Sequence, residues 1–137
     1  MTTDNTAPTL VVGLGCQRGC DTDTLLALFN KALDEGGIDR QRITALASID
    51  LKQDEPGLLA LAKALNLPLQ FFSAGQLALY EPRLSHKSAI AFTHTGCHGV
   101  AESAALALAE HLAQGSARLL ITRQKNAQAT FALASCG

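Results

Sequence analysis

The chain has 137 residues, of which 47% are hydrophobic, and a formal net charge of -1, so we expect one domain large enough to bury its own core. The near-neutral charge and the scarcity of aromatic residues (five Phe, one Tyr, no Trp) argue against a protein that binds nucleic acid or an anionic membrane. No apolar stretch is long enough to span a membrane, and polar residues 1–8 lack the apolar core of a signal peptide. We therefore predict a cytoplasmic protein with a flexible leader at 1–8 and a single domain at 9–137.

The first predicted element is a buried strand at 10–14, and it runs into a turn with glycines at 13, 15 and 19. Backbone N–H groups at such a turn, a following helix start and the guanidinium of Arg18 favour an anion, either a phosphate or carboxylates. The spacing differs from the dinucleotide-binding fingerprint, because Arg18 stands where that pattern has its third glycine. The alternative is a tight turn whose glycines only provide backbone freedom.

Helices and strands then alternate along the chain. Asp21 is a good N-cap for a helix that ends at Gly36-Gly37, and residues 42–49 predict a second strand. Asp54-Glu55-Pro56 opens a second helix, whose predicted buried face is Leu58, Leu59, Ala62 and Leu65. Residues 67–72 predict a third strand, and the capping-box pair Ser73 and Gln76 predicts a short helix to about Tyr80. This order is typical of a parallel sheet covered by helices.

The last third of the chain predicts a helix and a hairpin. Residues 89–92 fit either a short strand or a helical turn capped by Ser88. A helix begins after Gly99, with Glu102 in the position of a capping glutamate and with alanines that let it approach the sheet closely. Its predicted buried face is Val100, Ala104, Leu108 and Leu112. Residues 118–122 and 130–134 predict an antiparallel hairpin with its turn at 125–127.

The four cysteines are Cys16, Cys20, Cys97 and Cys136. Disulfides are not expected in a cytoplasmic protein. The 16–20 spacing is wider than that of the common zinc pair, although His94, Cys97 and His98 offer further ligands. We interpret the cysteines as small buried residues and predict no metal site.

Ligands of open parallel sheets bind at the carboxyl ends of the strands. By this rule three segments converge on one cleft: the turn after the first strand, residues 48–52, and residues 93–99 with the helix start that follows. The candidate ligand-binding residues are Gly13, Gly15, Cys16, Arg18, Gly19, Ser48, Asp50, Lys52, Glu55, Thr95, Gly96 and Glu102. The structural alternative is that Ser48 and Asp50 only satisfy a turn and that Lys52 is a solvated surface lysine. No catalytic residue is assigned.

Four motifs, each weak alone, occur in one order that resembles the CobE / CbiG C-terminal domain family over residues 9–135. They are Gly13-Leu-Gly15-Cys16-x-Arg18-Gly19, then Ala47-Ser48-Ile49-Asp50-x-Lys52-x-Asp54-Glu55-x-Gly57-Leu58, then Thr95-Gly-x-x-Gly99-Val100-Ala101-Glu102-x-Ala104-Ala105, then Thr130-x-Ala132. The resemblance implies a role in cobalamin biosynthesis. It also implies an α/β fold, a three-layer α/β/α sandwich with a mixed, mostly parallel sheet of about five strands and a C-terminal hairpin. No cofactor is expected.

The resemblance further implies a ligand, because precorrin-type intermediates are flat apolar macrocycles edged with carboxylates. Arg18 can bind a carboxylate bidentately and Lys52 supplies a point charge; Arg123 and Lys125 extend this rim if the hairpin lies nearby. We therefore expect a protein that binds a precorrin-type tetrapyrrole as an accessory or carrier, with other corrin-pathway enzymes as partners.

Two alternatives stay open. One is a hydrolase-type enzyme that acts on a lactone-bearing precorrin during ring contraction, with Glu102 or His98 as general base. The other is a phosphate- or nucleotide-binding module that uses the turn at 13–19.

Overall fold

The computed structural model describes residues 8–89 and 98–136. In this part of the chain five strands form one sheet: β1 (Thr9–Cys16), β2 (Ala45–Ile49), β3 (Leu69–Phe72), β4 (Ala117–Lys125) and β5 (Ala129–Cys136). Their order is β3-β2-β1-β5-β4. β1 pairs in parallel with β2, and β2 with β3, whereas β5 is antiparallel to both β1 and β4. Four of the five strands therefore share one direction, which confirms the mixed, mostly parallel sheet and the C-terminal hairpin.

Helices cover both faces of the sheet. They are α1 (Thr22–Gly36), α2 (Pro56–Leu65), α3 (Ala74–Ala78) and α4 (Val100–Ala113). Because side chains alternate along a strand, Leu10, Val12 and Leu14 of β1 pack in the core beneath α1 and α2. Val11 belongs instead to the core on the opposite face, which α3 and α4 cover. The predicted three-layer α/β/α sandwich is thus confirmed.

The predicted helix ends are formed by the expected side chains. Asp21 Oδ1 accepts a hydrogen bond from Thr24 N at 2.7 Å, and α1 stops at Gly37, which has a φ of 68°. The capping box at the start of α3 is complete: Ser73 Oγ accepts from Gln76 N at 3.1 Å, and Gln76 Oε1 accepts from Ser73 N at 2.8 Å. The capping predictions at 21 and 73 are therefore confirmed.

Some predicted bounds were wrong for local reasons. β2 starts at Ala45 rather than at 42, because Arg40–Arg42 form a 3-10 turn capped by the side chain of Asp39. β3 starts at Leu69 because the chain turns through left-handed Asn66, with a φ of 56°, and then meets Pro68. Both hairpin strands are longer than predicted.

Two residues predicted to be buried are exposed: Leu59 by 44% and Leu112 by 45%. In α2 the buried stripe is Gly57, Leu58, Leu61 and Ala62, and Leu59 lies one position, about 100° of helix rotation, beyond Leu58. In α4 burial is continuous from Val100 to Ala109, and Leu112 stands in the last turn past that stretch.

The closest approach between layers is that of α4 to β1. A Cβ placed on Gly13 would penetrate the backbone of Ala101 and lie 2.7 Å from Ala105 N. The residues that pair with Gly13 on either side are Ala47 and Ala132, so the sheet offers a row of small side chains to an alanine-rich helix. The predicted slim helix is confirmed.

Three predictions fall on parts of the chain outside the described residues. They are the leader, for which the structure describes nothing before residue 8, residues 90–92 of the element proposed at 89–92, and residues 93–97 of the loop at 93–99. Thr95 and Gly96 of the candidate site lie in that second gap, as do His94 and Cys97.

Candidate functional site

The predicted site lies at one end of the sheet, which we call the carboxyl edge: residues 16–21, 50–55, 84–86 with 98–102, and 123–130. Here β1, β2 and β4 end, and α1, α2 and α4 begin. Gln17 N donates to Gln128 O at 2.8 Å, and Asn126 Nδ2 donates to Thr24 O at 3.2 Å. The hairpin therefore lies beside the turn that follows β1, which was the condition for Arg123 and Lys125 to extend the rim.

The turn after β1 is fixed by contacts from α2. Gly19 has a φ of 81°, and its N–H donates to Glu55 Oε2 at 2.8 Å. Glu55 is only 7% exposed, and a Cβ on Gly57 would collide with the carbonyl oxygen of Cys20. Glu55 and Gly57 thus hold the turn in place, and the Gly19 N–H is already used within the protein.

The thiols of Cys16 and Cys20 lie near each other in this turn. Burial raises the pKa of both thiols, most strongly that of half-buried Cys16, while the positive charge of nearby Lys52 acts in the opposite direction. Both groups are therefore neutral thiols at neutral pH. Within residues 8–89 and 98–136 no cluster of three or more His, Cys, Asp or Glu side chains is arranged to hold a metal ion.

Three of the candidate residues shape the sheet beneath the edge. Gly13 accommodates α4, and a Cβ on Gly15 would lie 2.6 Å from Thr130 Oγ1. Ser48 is fully buried and donates its hydroxyl to Leu14 O at 2.6 Å. These contacts agree with the structural alternative, in which such residues satisfy packing and backbone groups.

Basic side chains stand on several segments of the carboxyl edge. Arg18 is exposed and Lys52 is half-buried beside Asp50, while Arg123 and Lys125 follow at the end of β4. In the described part of the chain, none of these four cations has a carboxylate oxygen within 4.0 Å. The Nε of Arg123 is buried and has no hydrogen-bond partner there, and a donor in this state is costly unless a ligand or water satisfies it.

Glu102 is a second buried carboxylate of the edge, with 1% exposure. Its Oε1 accepts from Ser85 N at 2.7 Å and from His86 N at 3.4 Å, and its Oε2 accepts from Arg123 N at 2.9 Å and from the hydroxyl of Ser85. The predicted capping role was wrong: Gly99 is the N-cap of α4, and no side chain caps that helix end. Glu102 instead joins two distant segments of chain.

Next to Glu102 lies a pair that sequence reasoning missed. Ser85 Oγ is 2.6 Å from His86 Nδ1, and His86 Nδ1 is 4.0 Å from Glu102 Oε2. No motif in the sequence links residues 85–86 to Glu102 of α4. His98, the other candidate base, has its Nδ1 3.1 Å from Glu81 Oε2.

A shallow depression of about 300 Å³ lies elsewhere, between α3 and α4, lined mainly by Phe72, Gln76, Leu79, Tyr80, Glu110 and His111. Glu110 is ten residues along α4 from Val100, about 15 Å, so this depression is distinct from the carboxyl edge. Among the described residues no helix has both the length and the apolar character needed to cross a membrane.

These observations define a class: an α/β/α domain with basic side chains from several segments at the carboxyl ends of its strands. The chain belongs to the family described as "Cobalamin synthesis G C-terminus", whose family model matches residues 10–134. It is a cobalamin biosynthesis protein of the CobE and CbiG type, as the resemblance implied.

Its relatives agree on this family. The chain is 39% identical over 125 residues to Protein CobE of Sinorhizobium sp., covering 91% of this chain and 79% of that protein. It is 30% identical over 125 residues to the cobalt-precorrin-5A hydrolase of Priestia megaterium, covering 91% of this chain but only 32% of that enzyme. The chain thus spans about a third of the length of this hydrolase.

Solved structures also match. A crystal structure of CobE superposes with a TM-score of 0.91 at 47% identity, covering 95% of this chain and 92% of that one. The cobalamin biosynthesis protein chiG from Agrobacterium tumefaciens superposes with a TM-score of 0.70 at 30% identity, covering 92% and 97%.

Proposed function

We propose that this protein binds a precorrin-type tetrapyrrole at its carboxyl edge and serves as an accessory or carrier protein in cobalamin biosynthesis. The observation that carries the proposal is a set of four basic side chains at that edge for which no ion pair is described. The buried carboxylates of Glu55 and Glu102 are taken up by backbone N–H groups, whereas Arg18, Lys52, Arg123 and Lys125 have no described acidic partner.

The arrangement of these cations suits a ligand with several separate carboxylates. Arg18 comes from the turn after β1, Lys52 from the 3-10 turn after β2, and Arg123 and Lys125 from the hairpin. A flat macrocycle with carboxylates around its rim can meet all three segments at once. Arginine binds a carboxylate through parallel N–H bonds and lysine through a point charge, so the two arginines would fix orientation.

The nucleotide-binding alternative has less support. A phosphate cradle needs free backbone N–H groups, but Gly19 N already donates to Glu55 and Gly13 lies beneath α4. A hydrolytic role is the second candidate, favoured by the names of relatives such as the hydrolase of Priestia megaterium. Turnover of a precorrin by this chain alone would support it.

The binding proposal can be tested with uroporphyrin, a stable tetrapyrrole whose rim carries acetate and propionate carboxylates. Titration into the protein, followed by absorption and fluorescence of the porphyrin, should show saturable binding that weakens as salt is added. Etioporphyrin, which carries only alkyl groups, is the matched ligand without carboxylates. Equal binding of both porphyrins would contradict a carboxylate-reading edge.

Variants locate the site. Arg18→Ala, Lys52→Ala and Arg123→Gln should each weaken uroporphyrin binding, by about tenfold for a lost charge-assisted hydrogen bond worth about 1.4 kcal/mol. Lys63→Ala is the control, because Lys63 is an exposed lysine in the last turn of α2, at the other end of that helix from Glu55. If Lys63→Ala weakens binding as much as the edge variants, the ligand lies elsewhere.

A carrier role also implies partner proteins and a place in the cell. A carrier must hand its ligand to another protein, so we propose other corrin-pathway enzymes as partners, detectable by cross-linking in the presence of the tetrapyrrole. We also propose a cytoplasmic location, which the free thiols of Cys16, Cys20 and Cys136 support.

A further inference from the structure

The hydrogen bonds around Glu102 determine where the hydrogens of its neighbours lie. The carboxylate accepts from three backbone N–H groups and from the hydroxyl of Ser85. Backbone N–H groups can only donate, so this is the environment of an ionised acid. The single hydroxyl hydrogen of Ser85 therefore points to Glu102 Oε2, and none is left for a second bond.

The same hydrogen bonds determine the tautomer of His86. Ser85 Oγ lies 2.6 Å from His86 Nδ1 and has only its lone pairs to offer, so Nδ1 must carry the hydrogen that joins them. A neutral His86 then has a bare Nε2, which can accept a hydrogen bond or a proton. The His86 side chain is 48% exposed.

We propose that Glu102, Ser85 and His86 form a hydrogen-bonded triad that makes His86 Nε2 the proton-accepting group of the carboxyl edge. Ser85 and Glu102 are positioning residues that hold the imidazole in the Nδ1–H tautomer and stabilise the cation formed when Nε2 takes a proton. This inference rests on the proposed function, because it assigns an acid–base group to the same binding edge.

The position of Arg123 indicates what His86 would act on. The backbone nitrogens of His86 and Arg123 lie 3.4 and 2.9 Å from oxygens of the same carboxylate, so the two residues are neighbours. The unpartnered guanidinium nitrogen of Arg123 calls for an acceptor, and a rim carboxylate of the tetrapyrrole is one. The ligand group suited to His86 is then a proton donor beside that carboxylate: a hydroxyl group or a bound water molecule.

The first test is the tautomer itself, read from long-range ¹⁵N–¹H NMR correlations of the free protein above the ordinary histidine pKa of about 6.5. We expect His86 to be protonated at Nδ1. In Ser85→Ala it should lose this preference, and in Ser85→Thr, which keeps the hydroxyl, it should retain it. His111, exposed in the last turn of α4, is the internal control. An Nε2–H tautomer of His86 in the parent protein, or an unchanged tautomer in Ser85→Ala, overturns the proposed triad.

The second test is whether the bare nitrogen faces the ligand. The bare Nε2 of a neutral imidazole attacks a carbonyl carbon of diethyl pyrocarbonate. An N–C bond forms, the C–O bond to the departing ethyl carbonate breaks, and the Nδ1 proton is lost to solvent. Peptide mass spectrometry should show His86 modified several-fold faster than in Ser85→Ala, and uroporphyrin should protect it while His111 stays reactive.

Failure of this inference and failure of the binding proposal give different results. If uroporphyrin binds to the carboxyl edge but leaves His86 unprotected, the binding proposal stands and the assignment of His86 to the ligand is overturned. If uroporphyrin does not bind at all, the binding proposal fails, and so does the assignment of His86 to that site. The NMR result still decides whether the triad exists.

Discussion

Glu55 Oε2 accepts the backbone N–H of Gly19 at 2.8 Å, across 36 residues of sequence. This bond joins the turn that carries Arg18 to the first residue before α2, three residues from Lys52. The positions of the two cations are therefore coupled through one buried carboxylate, and the geometry of the edge depends on residues that do not themselves face a ligand.

Loss of this carboxylate should destabilise the protein. We expect Glu55→Ala to lower the free energy of unfolding by about 2 kcal/mol, the range for a hydrogen bond to a charged group, and Glu55→Gln to cost less because an acceptor oxygen remains. Urea unfolding followed by circular dichroism measures both. The control is Glu35→Ala, an exposed glutamate of α1, and equal effects of the two alanine variants would contradict the role of Glu55.

A methyl group at Gly13 should be among the most damaging single changes to the core. Gly13→Ala places its Cβ inside the backbone of Ala101, so α4 must move away from β1, at a cost of about 3 kcal/mol or more. Gly75→Ala is the matched control, since its Cβ would meet only Ser73 Oγ at 3.8 Å within helix α3. That change should stabilise by up to about 1 kcal/mol. Comparable destabilisation in both variants would refute the close approach of α4.

Because the thiols of Cys16 and Cys20 are shielded from water, we expect the stability of the protein to fall at alkaline pH. Burial raises the folded-state pKa of Cys16 and Cys20 above the ordinary value of 9.0. The contribution of the neutral thiols to the free energy of unfolding is therefore complete below pH 9.0. It is lost as pH rises from that value toward the folded-state pKa. Urea midpoints should fall with rising pH above this point, and less so in Cys16→Ala/Cys20→Ala.

Alkylation tests independently whether the pKa values of Cys16 and Cys20 are raised. Iodoacetamide reacts with thiolates, so it should label these two cysteines slowly in the native protein and rapidly in urea. Fast native labelling near neutral pH would show that the thiols are not protected as described.

Acid should weaken the contacts of Glu110 at the far end of α4. Burial alone would raise the pKa of this carboxyl, but hydrogen bonds from Ala117 N at 2.7 Å and Arg83 Nη1 at 2.9 Å outweigh it and lower the pKa below 4.5. A lowered pKa adds stability at neutral pH that is lost as pH falls through the folded-state value. Between neutral pH and about pH 3, the free energy of unfolding should therefore change less in Glu110→Gln than in the parent protein. An unchanged acid dependence in that variant would rule out Glu110 as a contributor.

Local signals in the sequence were sufficient for much of the fold. The N-cap at Asp21, the capping box at Ser73 and the glycine stop at Gly37 each act within four residues, and all three formed as predicted. The order of strands and helices then leaves few topologies. The bounds that failed, at 42–45 and 67–69, are places where a 3-10 turn or a left-handed residue interrupts an otherwise strand-like pattern.

The site was harder to predict because its contacts join residues far apart in the chain. Glu102 has the spacing of a capping residue, yet the donors it binds are at 85, 86 and 123, and no local pattern contains them. Gly13 has the appearance of a ligand-binding glycine, but it serves the packing of α4, which only the assembled layers reveal. Convergence of the turn at 16–19 with the segment at 50–55 followed from the topology alone.

The pairing of β1 with β5 has a consequence for how the chain acquires its structure during synthesis. All eight residues of β1, from Thr9 to Cys16, are in register with residues 136 to 129 of β5. The central strand of the sheet is thus synthesised before the other described strands, and its neighbour β5 is synthesised after them. Pairing over such a separation closes a long loop and is slow. During that interval one edge of β1 would stay unpaired, so the nascent chain is exposed to aggregation through its own core strand until β5 arrives.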